Sequence, residues 1–135
     1  MIPKFRAWNK VREEIIDDCD LAITSDGSIL AGDLNYDEES GMLADVTDNV
    51  VIMMSTRLKD KNGTEIYEGD IVELKYPYDK RIKTKGSIVW DNHKACFGIS
   101  MKETTEQYEL YRVTAENYLS VIGNVFENKN LLNEE

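Results

Sequence analysis

The stretch that decides the fold is residues 58–76, which read Leu58-Lys59-Asp60-Lys61-Asn62-Gly63-Thr64-Glu65-Ile66-Tyr67-Glu68-Gly69-Asp70-Ile71-Val72-Glu73-Leu74-Lys75-Tyr76. The dipeptide Asn62-Gly63 predicts a tight turn, because glycine and asparagine tolerate positive φ. Gly69 marks a second turn, and the alternation of Val72, Leu74 and Tyr76 predicts a strand with one buried face. The stretch therefore predicts a strand–turn–strand unit.

Similar turn signals recur on both sides of this unit. Ser25–Ser28 contains Asp-Gly between two apolar runs and predicts a hairpin with a type I′ turn, in which both central residues have positive φ. Residues 87–101 predict a second hairpin that turns at Asp91–Lys94. Short strands at this spacing are typical of small barrels and sandwiches. We expect an all-β fold, with a small SH3-like β-barrel in the C-terminal half, additional N-terminal strands and little helix.

The remaining segments are assigned by the same reasoning. Val50–Ser55 is apolar and predicts a buried strand, and Gln107–Val113 alternates as a strand does. Ala115–Leu119 is expected to form a short helical turn, and Ser120–Phe126 a last strand. Trp8 and Trp90 are predicted to be core aromatics.

Length and charge bound the organisation of the chain. With 135 residues, the chain is expected to form a single domain over 1–135, with a subdivision into 1–57 and 58–135 left open. The net charge is −10, and residues 13–48 hold twelve acidic residues without a lysine or arginine. Such a run is either a solubilising surface or a surface that meets a basic partner.

Several classes are disfavoured by the composition. The longest apolar run, Val50–Met54, is too short for a membrane span, so we expect no membrane association. The N-terminus shows no apolar signal region, and the two cysteines, Cys19 and Cys96, make no disulfide framework. We therefore expect a cytoplasmic protein.

Three blocks of the sequence carry a family resemblance. They are Lys4–Trp8, Leu58–Val72 and Val121–Asn128, and their order and spacing cover nearly the whole chain. The chain resembles the YopX family of phage and prophage proteins. The resemblance implies an all-β fold and a phage or prophage origin in a Gram-positive host. It implies no catalytic motif, because the function of the family is uncharacterised.

Candidate catalytic, metal-binding and cofactor-binding residues are not found in the sequence. His93 is the single histidine, so any Ser-His-Asp triad would have to use it, and it lies in a predicted exposed turn. His93 and Cys96 are three positions apart, which on an extended chain places them on opposite faces rather than at one metal. Cys19 lies among acidic residues that disfavour its thiolate. We therefore expect no metal, no cofactor and no enzymatic activity.

One segment differs from its surroundings in charge. Residues 75–85 hold five of the sixteen basic residues together with two tyrosines, and Pro77 disfavours regular pairing. The candidate partner-binding residues are Lys75, Tyr76, Tyr78, Lys80, Arg81, Lys83 and Lys85. Such a loop could hold phosphates and stack a base, although the net charge of −10 disfavours nucleic acid.

The charge pattern leaves three functional hypotheses open. The first is a non-enzymatic phage or prophage accessory protein that binds a host or phage protein or forms a homo-oligomer, with basic residues 75–85 of one copy meeting acidic residues 13–48 of another. The second is nucleic-acid binding through residues 75–85. The third is an acidic decoy that mimics nucleic acid and occupies a host protein's basic groove.

Overall fold

The computed structural model of the chain describes residues 4–16, 20–32, 44–75, 83–101 and 107–132, with the backbone alone for residues 20, 83 and 129. Its strands are antiparallel, and the described part of the chain contains one α-helix, α1 (Arg112–Tyr118), and a 3-10 turn at Lys129–Leu132. The strands are β1 (Phe5–Asn9), β2 (Glu14–Ile16), β3 (Asp20–Ile23), β4 (Ile29–Gly32), β5 (Ala44–Asp45), β6 (Val50–Lys59), β7 (Glu65–Tyr67), β8 (Asp70–Lys75), β9 (Lys83–Asp91), β10 (Cys96–Met101), β11 (Gln107–Glu109) and β12 (Leu119–Asn124).

The chain divides into two compact units. The main unit comprises Met1–Phe5 and Met53–Glu135, and the inserted unit comprises Arg6–Ile52. Strands β1 and β6 each continue from one unit into the other. The sequence-based assignment of one domain, with a subdivision after residue 57, stays a prediction.

The main unit is built on a five-stranded antiparallel sheet in the order β11-β10-β9-β8-β12. Residues directly opposite each other in an antiparallel pair share a face, so the pairs Val72–Val121, Leu74–Leu119 and Ile88–Ile99 place their side chains on one side of the sheet. That side carries the core, whose buried members are Ile66, Val72, Ile88, Ile99, Ala115 and Leu119. This open, curled sheet forms a half-barrel and confirms the predicted all-β class.

The turn between β6 and β7 is closed by its backbone and by one buried carboxylate. Asp60 N–H donates to Thr64 O at 2.9 Å, and Gly63 N–H donates to Asp60 O at 3.0 Å. Asp60 is 3% exposed, and its Oδ1 accepts from the N–H groups of Asn62 and Thr64, each at 2.9 Å. Among the turn residues only Gly63 has positive φ, at 84°.

The β3–β4 hairpin of the inserted unit repeats this geometry. Thr24 N–H donates to Ser28 O at 2.9 Å, and Gly27, with φ of 88°, is its positive-φ residue. The predicted type I′ turn is therefore wrong at Ser25–Ser28, because that turn needs positive φ twice. Asp26 has negative φ, and in this conformation its Oδ1 accepts a hydrogen bond from Ser28 N–H at 3.0 Å. The result is a type I turn followed by a glycine bulge.

The inserted unit contains two small sheets around its own core. Within it, β1 lies between β2 and the first residues of β6, and the second sheet has the order β3-β4-β5. Ala7, Ile29 and Val50 are the buried members of its core. Trp8 is 8% exposed, which confirms the prediction of a core aromatic.

Two sequence-based expectations for the main unit are wrong. Trp90 is 44% exposed and packs edge-to-face against Phe97, with ring centroids 5.1 Å apart, so it is a surface aromatic. The strand predicted over residues 107–113 ends at Glu109, and α1 begins at Arg112. The alternation ends there because the chain turns into helix α1, which buries Ala115 in the core. Helix α1 has seven residues, and no helix in the described ranges has the length and apolar character of a membrane span.

Candidate functional site

Helix α1 arranges a row of side chains on the core-facing side of the main unit's sheet. The row begins at Tyr111, the residue just before the helix, and continues with Thr114 and Tyr118. Because these residues are three and four positions apart, they lie along one stripe of the helix. Ala115 lies on the neighbouring stripe of the helix, and it is buried in the core together with Leu119, the first residue of β12. The helix thus packs against the core through Ala115, whereas Tyr111, Thr114 and Tyr118 lie beside an opening.

That opening is a cleft of 530 Å³, which we call the tyrosine cleft. Its apolar lining comes from β8 and β10, and its remaining lining comes from the turn before β10, from β11 and from α1. Ile99 and Tyr108 are directly opposite each other on β10 and β11, so both face the cleft side of the sheet. The lining residues are Leu74, Lys94, Ile99, Met101, Gln107, Tyr108, Glu109, Tyr111, Thr114 and Tyr118.

The charged groups of the tyrosine cleft are paired with one another. Lys94 Nζ lies 3.9 Å from Glu109 Oε1, and the Tyr111 hydroxyl donates a hydrogen bond to Glu109 Oε2. That hydrogen bond and the Glu109 charge raise the pKa of Tyr111 above 10.0, which keeps the phenol protonated. Tyr108 and Tyr111 are about half exposed. The cleft therefore offers aromatic and apolar surface with compensated charges.

The predicted basic segment lies only partly within the described residues. Lys75 ends β8, and its Nζ is 3.7 Å from Glu73 Oε1. Lys83 pairs backbone to backbone with Lys75, which brings two lysine positions directly opposite each other. Lys85 lies opposite Glu73, and its Nζ donates to Leu131 O at 3.3 Å. Tyr76, Tyr78, Lys80 and Arg81 lie outside the described residues, so the binding role of the segment stays a prediction.

Three other basic side chains are exposed next to the β6–β7 turn. Arg57, Lys59 and Lys61 make no ion pair with any residue in the described ranges. The sequence does not reveal these three residues as a basic surface, because other residue types separate them along the chain. The strand is irregular here, since Arg57 has φ of 61° and its N–H donates to Ser55 Oγ at 2.9 Å.

Acidic residues of the inserted unit also organise turns. Asp26 Oδ1 accepts from the Thr24 hydroxyl and from Ser28 N–H, and Asp45 Oδ1 accepts from Thr47 N–H at 2.9 Å. Both aspartates are exposed. Several acidic positions between residues 17 and 39 lie outside the described residues, so the acidic decoy over residues 13–48 stays a prediction.

His93 and Cys96 lie where the sequence places them. His93 is exposed in the β9–β10 turn, and its N–H donates to Asp91 Oδ1 at 2.9 Å. Cys96 begins β10 and is half buried, while Cys19 lies outside the described residues. In the described ranges, no group of three or more histidine, cysteine, aspartate or glutamate side chains has an arrangement that would hold a metal ion.

Two of the blocks that carry the family resemblance, Leu58–Val72 and Val121–Asn128, form turns of the main unit. A side chain at Gly69, which has φ of 88°, would contact Met53 Sδ at 3.3 Å. Asn124 is buried, and its Oδ1 accepts from Phe126 N–H at 3.0 Å and Glu127 N–H at 2.8 Å. These residues shape turns, and none of them lines the tyrosine cleft.

The tyrosine cleft was missed by sequence reasoning, although one signal for it exists. Tyr111, Thr114 and Tyr118 have helical spacing, whereas residues 107–113 were interpreted as one strand. A change from period two to helical period at Leu110 would have placed these side chains on one helix face.

One comparison with known proteins shows the family of the chain, and another shows its fold. The family model described as "YopX protein" matches residues 4–133. Protein EF1440 from Enterococcus faecalis has a similar structure, with a TM-score of 0.68 and 25% identity over 98% of this chain and 99% of that one. Protein YopX from Bacillus subtilis has a TM-score of 0.66 and 20% identity, over 97% and 96% of the two chains. The comparison with curated proteins gives no match. Since the family model spans almost all of the sequence, the chain belongs to the YopX protein family.

Proposed function

We propose that this chain is a non-enzymatic binding module of phage or prophage origin, acting in the cytoplasm of the host cell. It takes an uncharged, largely apolar element of a host or phage protein into the tyrosine cleft. One observation carries the proposal: a cleft of 530 Å³ is lined by three tyrosines and contains a lysine and a glutamate that are paired with each other. Ligand sites typically enclose about 300–1,000 Å³ and combine apolar lining with a few polar groups.

The paired charges determine which ligand chemistry fits. A phosphate or carboxylate bound at Lys94 would have to compete with Glu109, which already holds that ammonium group and the Tyr111 hydroxyl. An apolar or aromatic side chain needs no such exchange and gains contact with Ile99, Met101 and the tyrosine rings. Tyrosine is suited to this role because it offers a large contact area with few rotatable bonds.

A substitution that fills the cleft tests the proposal. Thr114→Arg places a long side chain in the cleft lining, and Val113→Arg makes the same chemical change at the neighbouring helix position, which is 67% exposed and outside the lining. Proteins captured from host lysate by the wild type should be retained by the Val113 variant and lost by the Thr114 variant. Each variant is checked by circular dichroism for an intact fold.

Two results would contradict the proposal. One is equal capture by the wild type and the Thr114 variant. The other is a turnover activity of the purified protein that His93→Ala abolishes, because this would make the chain an enzyme.

One observation supports nucleic-acid binding as a second candidate. The backbone pairing of Lys75 with Lys83 sets two lysine positions directly opposite each other, an arrangement that favours an anion in addition to Glu73, whose Oε1 lies 3.7 Å from Lys75 Nζ. Phosphate groups would supply such an anion. The net charge of −10 acts against this candidate at long range.

Fluorescence anisotropy with labelled single- and double-stranded DNA across a salt series tests this candidate. Lys75→Glu and Lys83→Glu should abolish a salt-dependent signal, and Lys59→Glu serves as the matched charge control. Equal losses in all three variants would indicate a general charge effect and contradict a site at residues 75–85.

A further inference from the structure

The main unit's sheet has one covered edge and one open edge. At β12, Lys61 N–H donates to Leu119 O at 3.0 Å, and Val121 N–H donates to Asp60 Oδ2 at 2.8 Å, so the β6–β7 turn covers that edge. At the other end, β11 is the last strand, and no strand of the described ranges pairs with its outer side. Edge strands of this kind present backbone donors and acceptors that pair readily with another chain.

The register determines which backbone groups of β11 face outward. Leu110 N–H donates to Phe97 O at 3.1 Å across the β10–β11 pairing. Alternate residues of an antiparallel strand direct their N–H and C=O groups to opposite sides. Tyr108, two residues before Leu110, therefore also bonds toward β10, whereas the N–H and C=O groups of Gln107 and Glu109 face away from the sheet.

The tyrosine cleft borders this open edge. Gln107, Tyr108 and Glu109 all line the cleft, although consecutive residues of a strand direct their side chains to opposite faces. A cleft that touches all three must reach the rim of the strand, where the outward N–H and C=O groups lie. Tyr108 also shares its face of the sheet with Ile99, a buried residue of the same lining. An occupant of the cleft therefore lies beside outward-facing backbone groups.

We propose that this occupant is an extended peptide segment of another protein, which adds to β11 as a further strand of the sheet. The inference deepens the proposed function and rests on the tyrosine cleft being a ligand site. A helical ligand would leave the outward groups of Gln107 and Glu109 without partners, because a helix uses its backbone groups internally. In an antiparallel added strand, the residue opposite Tyr108 shares the face of Tyr108 and enters the cleft as an apolar or aromatic side chain.

The charge of the chain favours a segment that also carries basic residues. The net charge of −10 attracts a cationic peptide at long range. The cleft itself suits an uncharged side chain, because Lys94 and Glu109 are paired with each other. The partner segment therefore has apolar residues at alternate positions and lysine or arginine outside the cleft.

A fluorescein-labelled heptapeptide, Lys-Val-Thr-Phe-Thr-Val-Lys, tests strand addition by fluorescence anisotropy. With its Phe opposite Tyr108, the two Thr residues lie opposite Gln107 and Glu109 and direct their backbone groups toward β11, whereas the two Val residues direct theirs to solvent. N-methylation of both Thr residues should weaken binding about 5- to 150-fold, because two hydrogen bonds are lost. N-methylation of both Val residues is the matched control and should leave the affinity unchanged.

Amide hydrogen exchange, followed by NMR, locates the peptide on the edge. In the free protein, the amide protons of Gln107 and Glu109 should exchange faster than those of Tyr108 and Leu110, which bond toward β10. The peptide should slow exchange at Gln107 and Glu109. The proposal is wrong if these two amides are already protected in the free protein, if the peptide leaves them unprotected, or if it fails to bind at millimolar concentration.

Thr114→Arg separates this inference from the proposed function, with Val113→Arg as its control. Loss of peptide binding in the Thr114 variant alone supports both. Equal affinity of the two N-methylated peptides, with binding lost in the Thr114 variant, would overturn strand addition and leave the cleft as a ligand site. Protection of Gln107 and Glu109 that persists in the Thr114 variant would overturn the role of the cleft and retain strand addition at β11.

Discussion

The carboxylate of Asp60 accepts a hydrogen bond from the backbone N–H of Val121, which lies 61 residues further along the chain, with 2.8 Å between Oδ2 and N. Its other oxygen holds the β6–β7 turn through Asn62 and Thr64. One buried side chain therefore joins a local turn to the edge of a sheet. The register of the β8–β12 pairing shifts between Val121 and Gly123. At this irregularity the Val121 N–H donates to the Asp60 side chain.

Asp60→Ala is expected to destabilise the main unit. The change leaves the Val121 N–H without its acceptor and removes two turn hydrogen bonds, which should lower the free energy of unfolding by about 1–3 kcal/mol. Asp26→Ala is the control, because Asp26 is exposed and bonds within its own turn. Urea denaturation followed by circular dichroism measures both, and equal effects would contradict the role assigned to Asp60.

Gly123→Ala is expected to disturb the turn after β12. A Cβ atom there would lie 2.5 Å from Asn128 Oδ1, the atom that accepts from Asn124 N–H at 3.1 Å. Such overpacking costs about 1–3 kcal/mol. In an Asn128→Ala background the same change should cost less, because the nearest clashing atom is gone. A double-mutant cycle in urea gives this coupling, and additive effects would show that the contact is unimportant.

Acidification is expected to weaken the β3–β4 hairpin through Asp26. Hydrogen bonds from the Thr24 hydroxyl and from Ser28 lower the pKa of Asp26 from 3.8 to about 2. A carboxyl with a depressed folded-state pKa stabilises the fold above its unfolded pKa and loses this contribution as pH falls through the folded value. The stability difference between the wild type and Asp26→Asn should therefore shrink between pH 3.8 and about 2.

The shift itself is measured by following the carboxyl carbon of Asp26 in an NMR titration. A midpoint near the ordinary aspartate value, or a wild-type-to-variant difference that stays constant over this pH interval, would contradict the prediction.

The two tryptophans are expected to respond differently to a soluble quencher. Trp8 is 8% exposed and Trp90 is 44% exposed. Acrylamide should therefore quench a Trp8→Phe variant, which retains Trp90, more strongly than a Trp90→Phe variant. Stern–Volmer plots provide the measurement. Equal slopes would show that Trp90 is shielded in solution, and a slope that falls as protein concentration rises would indicate that association covers it.

Much of the fold follows from local sequence signals. Asp26-Gly27 and Asn62-Gly63 place turns correctly because glycine is needed at one positive-φ position in each. The predicted type I′ turn at Ser25–Ser28 was wrong because Asp26 keeps negative φ, and its side chain accepts a hydrogen bond from the Ser28 N–H in that conformation. The Asp60–Val121 bond could not be predicted, since its partners are distant in sequence and a buried aspartate resembles an exposed turn residue in a sequence.

The candidate site was less predictable than the fold. Charge runs are visible in a sequence, so residues 75–85 stood out, whereas the tyrosine cleft draws its lining from residues 74–118 and needs the β8–β10 register to bring Leu74, Met101 and Tyr118 together. Charge counts also do not show that Lys94 and Glu109 compensate each other. These relationships arise only when the strands pair.

The inserted unit begins and ends at neighbouring points of the main unit. Ser55 N–H donates to Lys4 O at 2.7 Å, so the chain departs and returns beside one hydrogen bond. All twelve acidic residues of 13–48 lie between these points. Because Lys4 and Ser55 are bonded to each other within the main unit, a change in the length of the inserted unit would leave its two attachment points side by side.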